Sequence, residues 1–266
     1  MDVIDAHTHL DELPWETLQN MSMSGIRAII SPVQLMCGKA LGAKTIREVW
    51  DYLFDVQFAR AEKNHIKPYA MIGISMVATP ADDPAELYAA LPEYLKRPEV
   101  VAIGEIGIEP GSRTCKDLKL QEEFVVRQLA IAKDADICVD FHMPNPAEAK
   151  KEYTQKILGL CRDCGLSMAK VVIDHCTDAN IGMVLDAGAW PAVSVQPWRP
   201  VTPATAVEYI KRFGADKIIL DSDSSMLPSD PLAVPKTAFA LKSQGFSDAD
   251  IEKVCALNCK TAYAIA

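Results

Sequence analysis

Strand-like segments alternate with helical segments along the whole chain, and this alternation restricts the possible folds more than any other feature. Eight short runs rich in β-branched residues recur, among them "DVIDAHTH", "VVAIGEIGI", "ICVDFHM", "AKVVIDH" and "DKIILDSDS". Between them lie segments with helical periodicity, such as "KDLKLQEEFVVRQLAIAKDAD". Eight such units favour parallel strands joined by right-handed crossovers and closed into a barrel. The sequence therefore predicts an α/β fold, a (β/α)8 TIM barrel.

The length of the chain and its C-terminal segment refine this prediction. The 266 residues, 49% of them hydrophobic, are enough to bury one large core, and no linker or low-complexity stretch divides them. The segment from Asp230 to Ala266 follows the last strand and has a helical pattern, with Ser247 as an N-cap. We therefore expect one domain over residues 1–266, with additional C-terminal helices.

Charge and targeting signals narrow the classes of partner. The 27 basic and 36 acidic residues give a net charge of −9, which disfavours binding to a nucleic-acid backbone. No apolar stretch reaches the roughly 18 residues of a membrane span, and no signal-peptide pattern is present. We expect a cytoplasmic protein that acts on a small molecule, has no membrane contact, and keeps its eight cysteines reduced.

Polar residues stand where the predicted strands end. In a parallel barrel these carboxyl ends converge on one face, which is where active sites form. The residues concerned are His7 and His9 after the first strand, Glu105 on the fourth, His142 on the fifth, His175 on the sixth, and Asp221 and Asp223 on the eighth.

These residue types are typical ligands of divalent metals. Imidazoles and carboxylates together suit zinc, manganese, iron or nickel. Glu105 lies inside an apolar strand, where an unpaired carboxylate costs several kcal/mol unless a cation or a hydrogen bond compensates it. The sequence therefore predicts one or two divalent ions per chain, zinc most of all, with manganese, magnesium, iron and nickel as alternatives. The fifth histidine, His65, reads as an ordinary helix-end residue.

Five segments together resemble the TatD-like branch of the amidohydrolase superfamily of metal-dependent hydrolases. They are "IDAHTHL", "AIGEIGIE", "LQEEFVVRQLAIAKDADICVDFHMPN", "VVIDHCTD" and "IILDSDSSML", which follow the family's order and spacing over nearly the whole chain. The resemblance implies that His7 and His9 bind one metal, that His142 and His175 bind a second, and that Glu105 bridges them.

The acidic stretch "LDSDSS" is similar to the family's "LETDSP". When the two motifs are aligned, Asp223 matches the family's catalytic aspartate. The resemblance implies that this residue accepts a proton from water and passes it to the leaving group. Asp221 stays as the alternative, because both aspartates share strand parity with Ile219. Asp223 would also complete the ligand set of the His7 and His9 metal.

Two departures from the family pattern concern the substrate. "GISMVATP" lacks the histidine of the family's "GxHP" turn and has Ser75 or Met76 in its place, and "HMPN" lacks the usual arginine. They favour an ester, amide, lactone or phosphoester over DNA, with Asn145, Trp198 and Arg199 as candidate substrate contacts. A TatD-type deoxyribonuclease remains an alternative. So does a metal-binding or scaffolding protein on the same fold without efficient catalysis.

Overall fold

Eight parallel strands form the centre of the computed structural model, which describes residues 2–33, 40–75, 80, 82–197 and 201–265. They pair in chain order from β1 to β8, so the predicted (β/α)8 barrel is confirmed. The strands are β1 Val3–Asp5, β2 Ile26–Pro32, β3 Lys67–Met71, β4 Val100–Gly107, β5 Cys138–His142, β6 Val171–Ile173, β7 Trp190–Ser194 and β8 Ile219–Asp221.

Helices cover the outside of the barrel and follow the last strand. Those between strands are α1 Trp15–Met23, α2 Ala43–Tyr52, α3 Phe58–Lys63, α4 Ala85–Tyr94, α5 Leu118–Ala135, α6 Ala147–Cys164, α7 Ile181–Asp186 and α8 Pro203–Phe213. The predicted C-terminal helices are α9 Ala233–Ser243, α10 Asp248–Glu252 and α11 Asn258–Tyr263. Single π-helical turns, Leu53–Gln57 and Lys253–Leu257, lead into α3 and α11, and short 3-10 turns lie at Leu10–Glu12 and Met168–Lys170. The hydroxyl of Ser247 caps α10 by accepting the N–H of Asp250.

The barrel closes just beyond the ends of its first and last strands. Thr8 and Ser224 form a parallel bridge there. The N–H of His9 donates to the carbonyl of Ser224 at 2.8 Å, and the N–H of Asp223 donates to the carbonyl of His7 at 2.9 Å. The closure thus lies at the carboxyl ends of the strands, among the residues predicted to bind metal.

Strand β5 shows how the interior changes along the barrel axis. Cys138, Asp140 and His142 alternate along it and therefore share one face. Cys138 joins a buried apolar cluster that includes Tyr263 of α11, and the Tyr263 hydroxyl donates to Asp140 at 2.6 Å. The C-terminal helix therefore contributes to the apolar end of the interior, while His142 stands at the opposite, polar end.

The sequence analysis expected reduced cysteines and no membrane contact. The seven cysteines among the described residues are free, and Cys37 lies outside those residues. In the described part of the chain, no helix combines the length and apolar character that crossing a bilayer requires.

Gln128 of α5 connects this helix to the segment that follows β3. Its side-chain carbonyl accepts the N–H of Ile74 at 2.6 Å, and its amide donates to the carbonyls of Ile74 and Phe124, each at 3.1 Å. Both Gln128 and Ile74 are buried. The Gln128 side chain therefore provides the hydrogen-bond partners of the Ile74 N–H and carbonyl, which lie beyond the end of β3.

We predict that Gln128→Leu lowers the free energy of unfolding by about 2–3 kcal/mol, because it leaves the N–H and carbonyl of Ile74 buried without partners. Chemical denaturation of the purified variant measures this loss. Gln155→Leu, the same change at an exposed position of α6, is the control and should cost no more than about 0.5 kcal/mol. Equal stability of the two variants would contradict this role of Gln128.

Candidate metal centre

His7 and His9 follow β1 and point into the mouth of the barrel. Both are buried, with 1% and 3% exposure. Nε2 of His7 lies 3.9 Å from Glu105 Oε2 and 3.8 Å from Asp223 Oδ1, and Nε2 of His9 lies 3.3 Å from the same Asp223 oxygen. The two imidazoles therefore present one nitrogen each to a space that two carboxylates share.

Glu105 reaches this space because β4 bulges. Ile103 pairs with Val139 and Ile106 pairs with Phe141, so Gly104 and Glu105 together oppose only one residue of β5. A Cβ on Gly104 would lie 2.9 Å from Cβ of Asp140, so a residue without a side chain is required at this close approach. The bulge thus places Glu105, with 4% exposure, inside the barrel.

His142 and His175 lie on the other side of Glu105. Oε1 of Glu105 is 2.5 Å from Nδ1 of His142 and 3.1 Å from Nε2 of His175. These two ring nitrogens are 3.1 Å apart. The carboxylate of Glu105 therefore stands between both histidine pairs.

Three groups of potential ligand atoms result, each with all its atoms within 4.8 Å of one another. The first consists of His7, His9 and Glu105, and the second consists of Glu105, His142 and His175. Glu105 belongs to both. A third group joins His7 to Asp140 and Asp174 on its other side. The first two groups bring together the histidine pairs and the glutamate named from the sequence, and their binding of ions stays a prediction.

The structure distinguishes the two candidate aspartates by depth. Asp223 lies beyond β8 at the mouth, with 13% of its side chain exposed, beside His9 and with its Oδ2 accepting the Gln196 amide at 2.5 Å. Asp221 is the last residue of β8 and is fully buried, and neither of its oxygens has a hydrogen-bond partner among the described residues. This geometry favours Asp223 as the residue that meets a substrate.

Electrostatic interactions in the centre are strong. Burial alone would raise the pKa of Glu105, but the charges of His142 and His7 and two histidine hydrogen bonds hold that pKa well below its usual range. Burial alone would lower the pKa of His7, but the carboxylates of Asp174 and Glu105 raise it well above the usual range. Burial and the charge of Asp174 raise the pKa of Asp221 well above its usual range. The centre therefore holds positive charge close to Glu105.

Two residues of the centre have left-handed backbone conformations, which are rare outside glycine. The φ angles are 55° at His175 and 43° at Asp223. Such conformations persist where the surroundings fix them and are concentrated at functional sites. They also break the alternation of side chains, because the chain turns at each residue instead of continuing as a strand.

Several residues of the centre escaped sequence reasoning. Asp174 directly precedes His175, and strict alternation would place the two on opposite faces of β6. In the structure, Oδ2 of Asp174 lies 2.5 Å from Nδ1 of His7. Glu109, in a turn after β4, lies 3.3 Å from Nε2 of His142, and Gln196 contacts Asp223. The only signal for Asp174 and Glu109 was an acidic residue within four positions of a predicted ligand.

Of the three predicted substrate contacts, the structure describes one, Asn145. Asn145 is exposed in the loop between β5 and α6, close in sequence to His142. Trp198 and Arg199 lie outside the described residues. Ser75, one of the two residues in place of the family's turn histidine, is buried after β3, and the other, Met76, also lies outside the described residues.

Comparisons with known proteins agree with this fold and centre. A family model described as TatD related DNase matches residues 4–264. An uncharacterized metal-dependent hydrolase of Methanocaldococcus jannaschii is 32% identical over 264 residues, covering 98% of each chain. A TatD-like protein of Archaeoglobus fulgidus has a similar structure, with a TM-score of 0.78 and 22% identity over 98% of this chain and 100% of that one. An organophosphorus hydrolase of Deinococcus radiodurans shares the fold, with a TM-score of 0.68 and 14% identity over 98% and 92% of the two chains.

We predict that the two histidine pairs bind separate ions. His7→Ala or His9→Ala should deplete one ion, and His142→Ala or His175→Ala should deplete the other, because the pairs lie on opposite sides of Glu105. Anomalous diffraction from zinc-treated crystals of each variant measures the occupancy of each position.

The control is His65→Ala, an exposed histidine after α3, which should leave both ions in place. Equal loss of both ions in all four variants would favour one shared position instead.

Proposed function

The chain belongs to the TatD related DNase family, and from this membership we propose that it is a metal-dependent hydrolase with its active site at the mouth of the barrel. One observation carries the proposal: Glu105, buried in β4, contacts both histidine pairs at once. A carboxylate in that position is costly without cations, and its neighbours are the residue types that bind them. We take residues 1–266 as one hydrolase domain, since the centre draws on strands from β1 to β8.

The side chains present fit divalent cations. Nε2 of His7 is buried, has no hydrogen-bond partner among the described residues, and faces Glu105 and Asp223. We propose that His7, His9 and Asp223 hold one ion, that His142 and His175 hold a second, and that Glu105 serves both. Divalent ions there would supply Lewis acidity toward the scissile group and a water acidic enough to attack near neutral pH. Nitrogen and oxygen donors suit zinc best, and manganese, magnesium, iron and nickel also accept them.

Asp223 is the proposed general base and acid. Its side chain is the partly exposed carboxylate at the mouth, so it can reach both solvent and substrate. The Gln196 amide holds one oxygen, Oδ2, which fixes the direction of the carboxylate. Asp223 would accept the proton of the attacking water and deliver it to the leaving group.

We propose a small ester, amide, lactone or phosphoester as substrate. The net charge of −9 supports this choice, because most nonspecific DNA affinity comes from clustered lysine and arginine. Asn145 supports it by its exposed position in the loop after β5, and Trp198 and Arg199 are proposed contacts on sequence grounds alone. The second candidate is a TatD-type deoxyribonuclease, which the description of the matching family favours.

We predict that Asp223→Asn lowers kcat by about 100- to 10,000-fold while most bound metal is retained. The amide keeps an oxygen toward His9 but cannot accept a proton from water. Turnover on a panel of esters, lactones, amides and phosphodiesters, with elemental analysis of the same samples, measures both effects.

Asp221→Asn is the comparison variant and should turn over substrate, because the ion pairs of the described residues connect Asp223, and not Asp221, to the histidines. A reversed result would assign the catalytic role to Asp221. Bound metal without any turnover in the unmutated protein would indicate the metal-binding or scaffolding alternative.

We also predict that hydrolysis of small substrates exceeds DNA degradation in kcat/KM. Divalent cations supply positive charge at the site itself, whereas a long duplex needs basic side chains along its path. A parallel assay with zinc or manganese compares the two. DNA trimming that disappears in Asp223→Asn, without turnover of any small substrate, would establish the nuclease alternative.

A further inference from the structure

Asp174, the residue after β6, is a buried carboxylate in contact with both histidine pairs. Its exposure is 0%, so water does not compete for its oxygens. Oδ1 accepts the N–H of His175 at 2.5 Å and the hydroxyl of Ser194 at 3.1 Å, and Oδ2 lies 2.5 Å from Nδ1 of His7. An ionised carboxylate can only accept hydrogen bonds, so the N–H of His175 and the hydroxyl of Ser194 donate to it, while His7 pairs with its other oxygen.

The contact with His7 determines which of its nitrogens is available to a metal. Nδ1 of His7 and Oδ2 of Asp174 form a buried ion pair at 2.5 Å, and the negative charge of Asp174 favours a proton on that nitrogen. Nε2 is then the ligand atom, and it is the atom that faces Glu105 and Asp223. A carboxylate on the outer nitrogen is the usual means of orienting a metal-binding histidine.

Ser194 extends the same control to His175. Its single hydroxyl proton is donated to Asp174, so the oxygen must accept from Nδ1 of His175, which lies 2.6 Å away. Nδ1 of His175 therefore carries a proton, and Nε2 is the nitrogen that would lose its proton to bind a metal. This nitrogen is 3.1 Å from Glu105 Oε1 and 3.1 Å from Nδ1 of His142.

We propose that Asp174 is a positioning residue for both metal positions, which sets the proton of His7 directly and that of His175 through Ser194. This inference rests on the proposed metal-dependent function but assigns a residue outside the ligand set. One buried acceptor thereby fixes the ligand nitrogen of one histidine in each pair. The left-handed conformation of His175 makes this possible, because the backbone turn lets Asp174 and His175 both face the interior.

The Asp174→Asn variant separates the effect of Asp174 on His7 from its effect on His175. The backbone N–H of His175 cannot be removed, so the amide oxygen should stay with it and with Ser194. The NH2 group then faces Nδ1 of His7, and His7 must carry its proton on Nε2, the nitrogen needed for metal. We expect the His7 and His9 position to lose about 10- to 100-fold in zinc affinity, with the other position little changed.

Ser194→Ala tests the effect of Asp174 on His175, which depends on the Ser194 hydroxyl. It leaves Asp174 against His7 but removes the acceptor for Nδ1 of His175, so the His142 and His175 position should lose about 10-fold in zinc affinity. Competition with chelators gives the two affinities, and anomalous diffraction shows which ion each variant loses. The matched controls are Asp178→Asn and Ser243→Ala, which are exposed and should change neither affinity.

Histidine proton positions give a readout that needs no metal. Long-range hydrogen–nitrogen correlation spectra of the metal-free protein should show a proton on Nδ1 of His7, and no proton on that nitrogen in Asp174→Asn. An unprotonated Nδ1 of His7 in the unmutated protein would overturn the proposal. So would equal loss of both ions in Asp174→Asn, or a third ion held by Asp174 and Asp140.

Failure of the proposed metal-dependent hydrolase function gives a different result from failure of the Asp174 proposal. If the unmutated protein takes up no divalent ion, the metal-dependent function fails, and the proton positions still decide the role of Asp174. If Asp174→Asn does not fold, Ser194→Ala and the spectra of the unmutated protein decide it.

Discussion

The candidate active site depends on how the barrel closes. The pairing that joins the first strand to the last lies beyond both strands, where the backbone of His7 and His9 bonds to that of Asp223 and Ser224. These hydrogen bonds fix the separation of two imidazoles and a carboxylate that lie more than two hundred positions apart in sequence. Barrel closure therefore also brings Asp223 beside His7 and His9. A shift of register at this closure would move the ligands as well as the strands.

Below the mouth, the interior is occupied by carboxylates, which a hydrophobic core would normally exclude. Asp140, Asp174 and Asp221 are all buried, and each interacts electrostatically with His7. Asp140 accepts the hydroxyl of Tyr263, and Asp174 accepts two hydrogen bonds and pairs with His7, so hydrogen bonds and an ion pair offset part of the desolvation cost of these two residues. Burial raises the pKa of Asp140 and Asp221 well above the usual range, which favours their neutral forms. At Asp174 the charges of His175 and His7 outweigh burial and lower the pKa, so this carboxylate carries the negative charge below the histidines.

Sequence periodicity predicted the strands, their parallel order and the convergence of the histidines, because alternation and chain order are local properties. It predicted β5 well, where Asp140 and His142 keep the regular face of the strand. It did not predict how Glu105 enters the site, since a bulge at Gly104 changes the register of β4 against β5. Nor did it find Asp174, whose direction depends on the φ angle of the next residue, His175. Register shifts and left-handed residues depend on tertiary contacts, which the pattern of apolar residues does not encode.

The two histidine pairs are connected twice, through Glu105 between them and through Asp174 beneath them. Both connections use backbone features, the bulge of β4 and the turn at His175, that belong to the barrel wall. The substrate, in contrast, must meet the loops that follow the strands, where chain length and side chains vary at little cost to stability. A fold with this division can keep its metal chemistry while its loops select a different bond. Two departures of this chain from the family pattern lie after β3 and after β5, in the part of the fold where a change of substrate requires no change of the centre. A third, Ser225 in place of the proline of the family's "LETDSP", stands two residues after Asp223 and is the one that adjoins the proposed ligands.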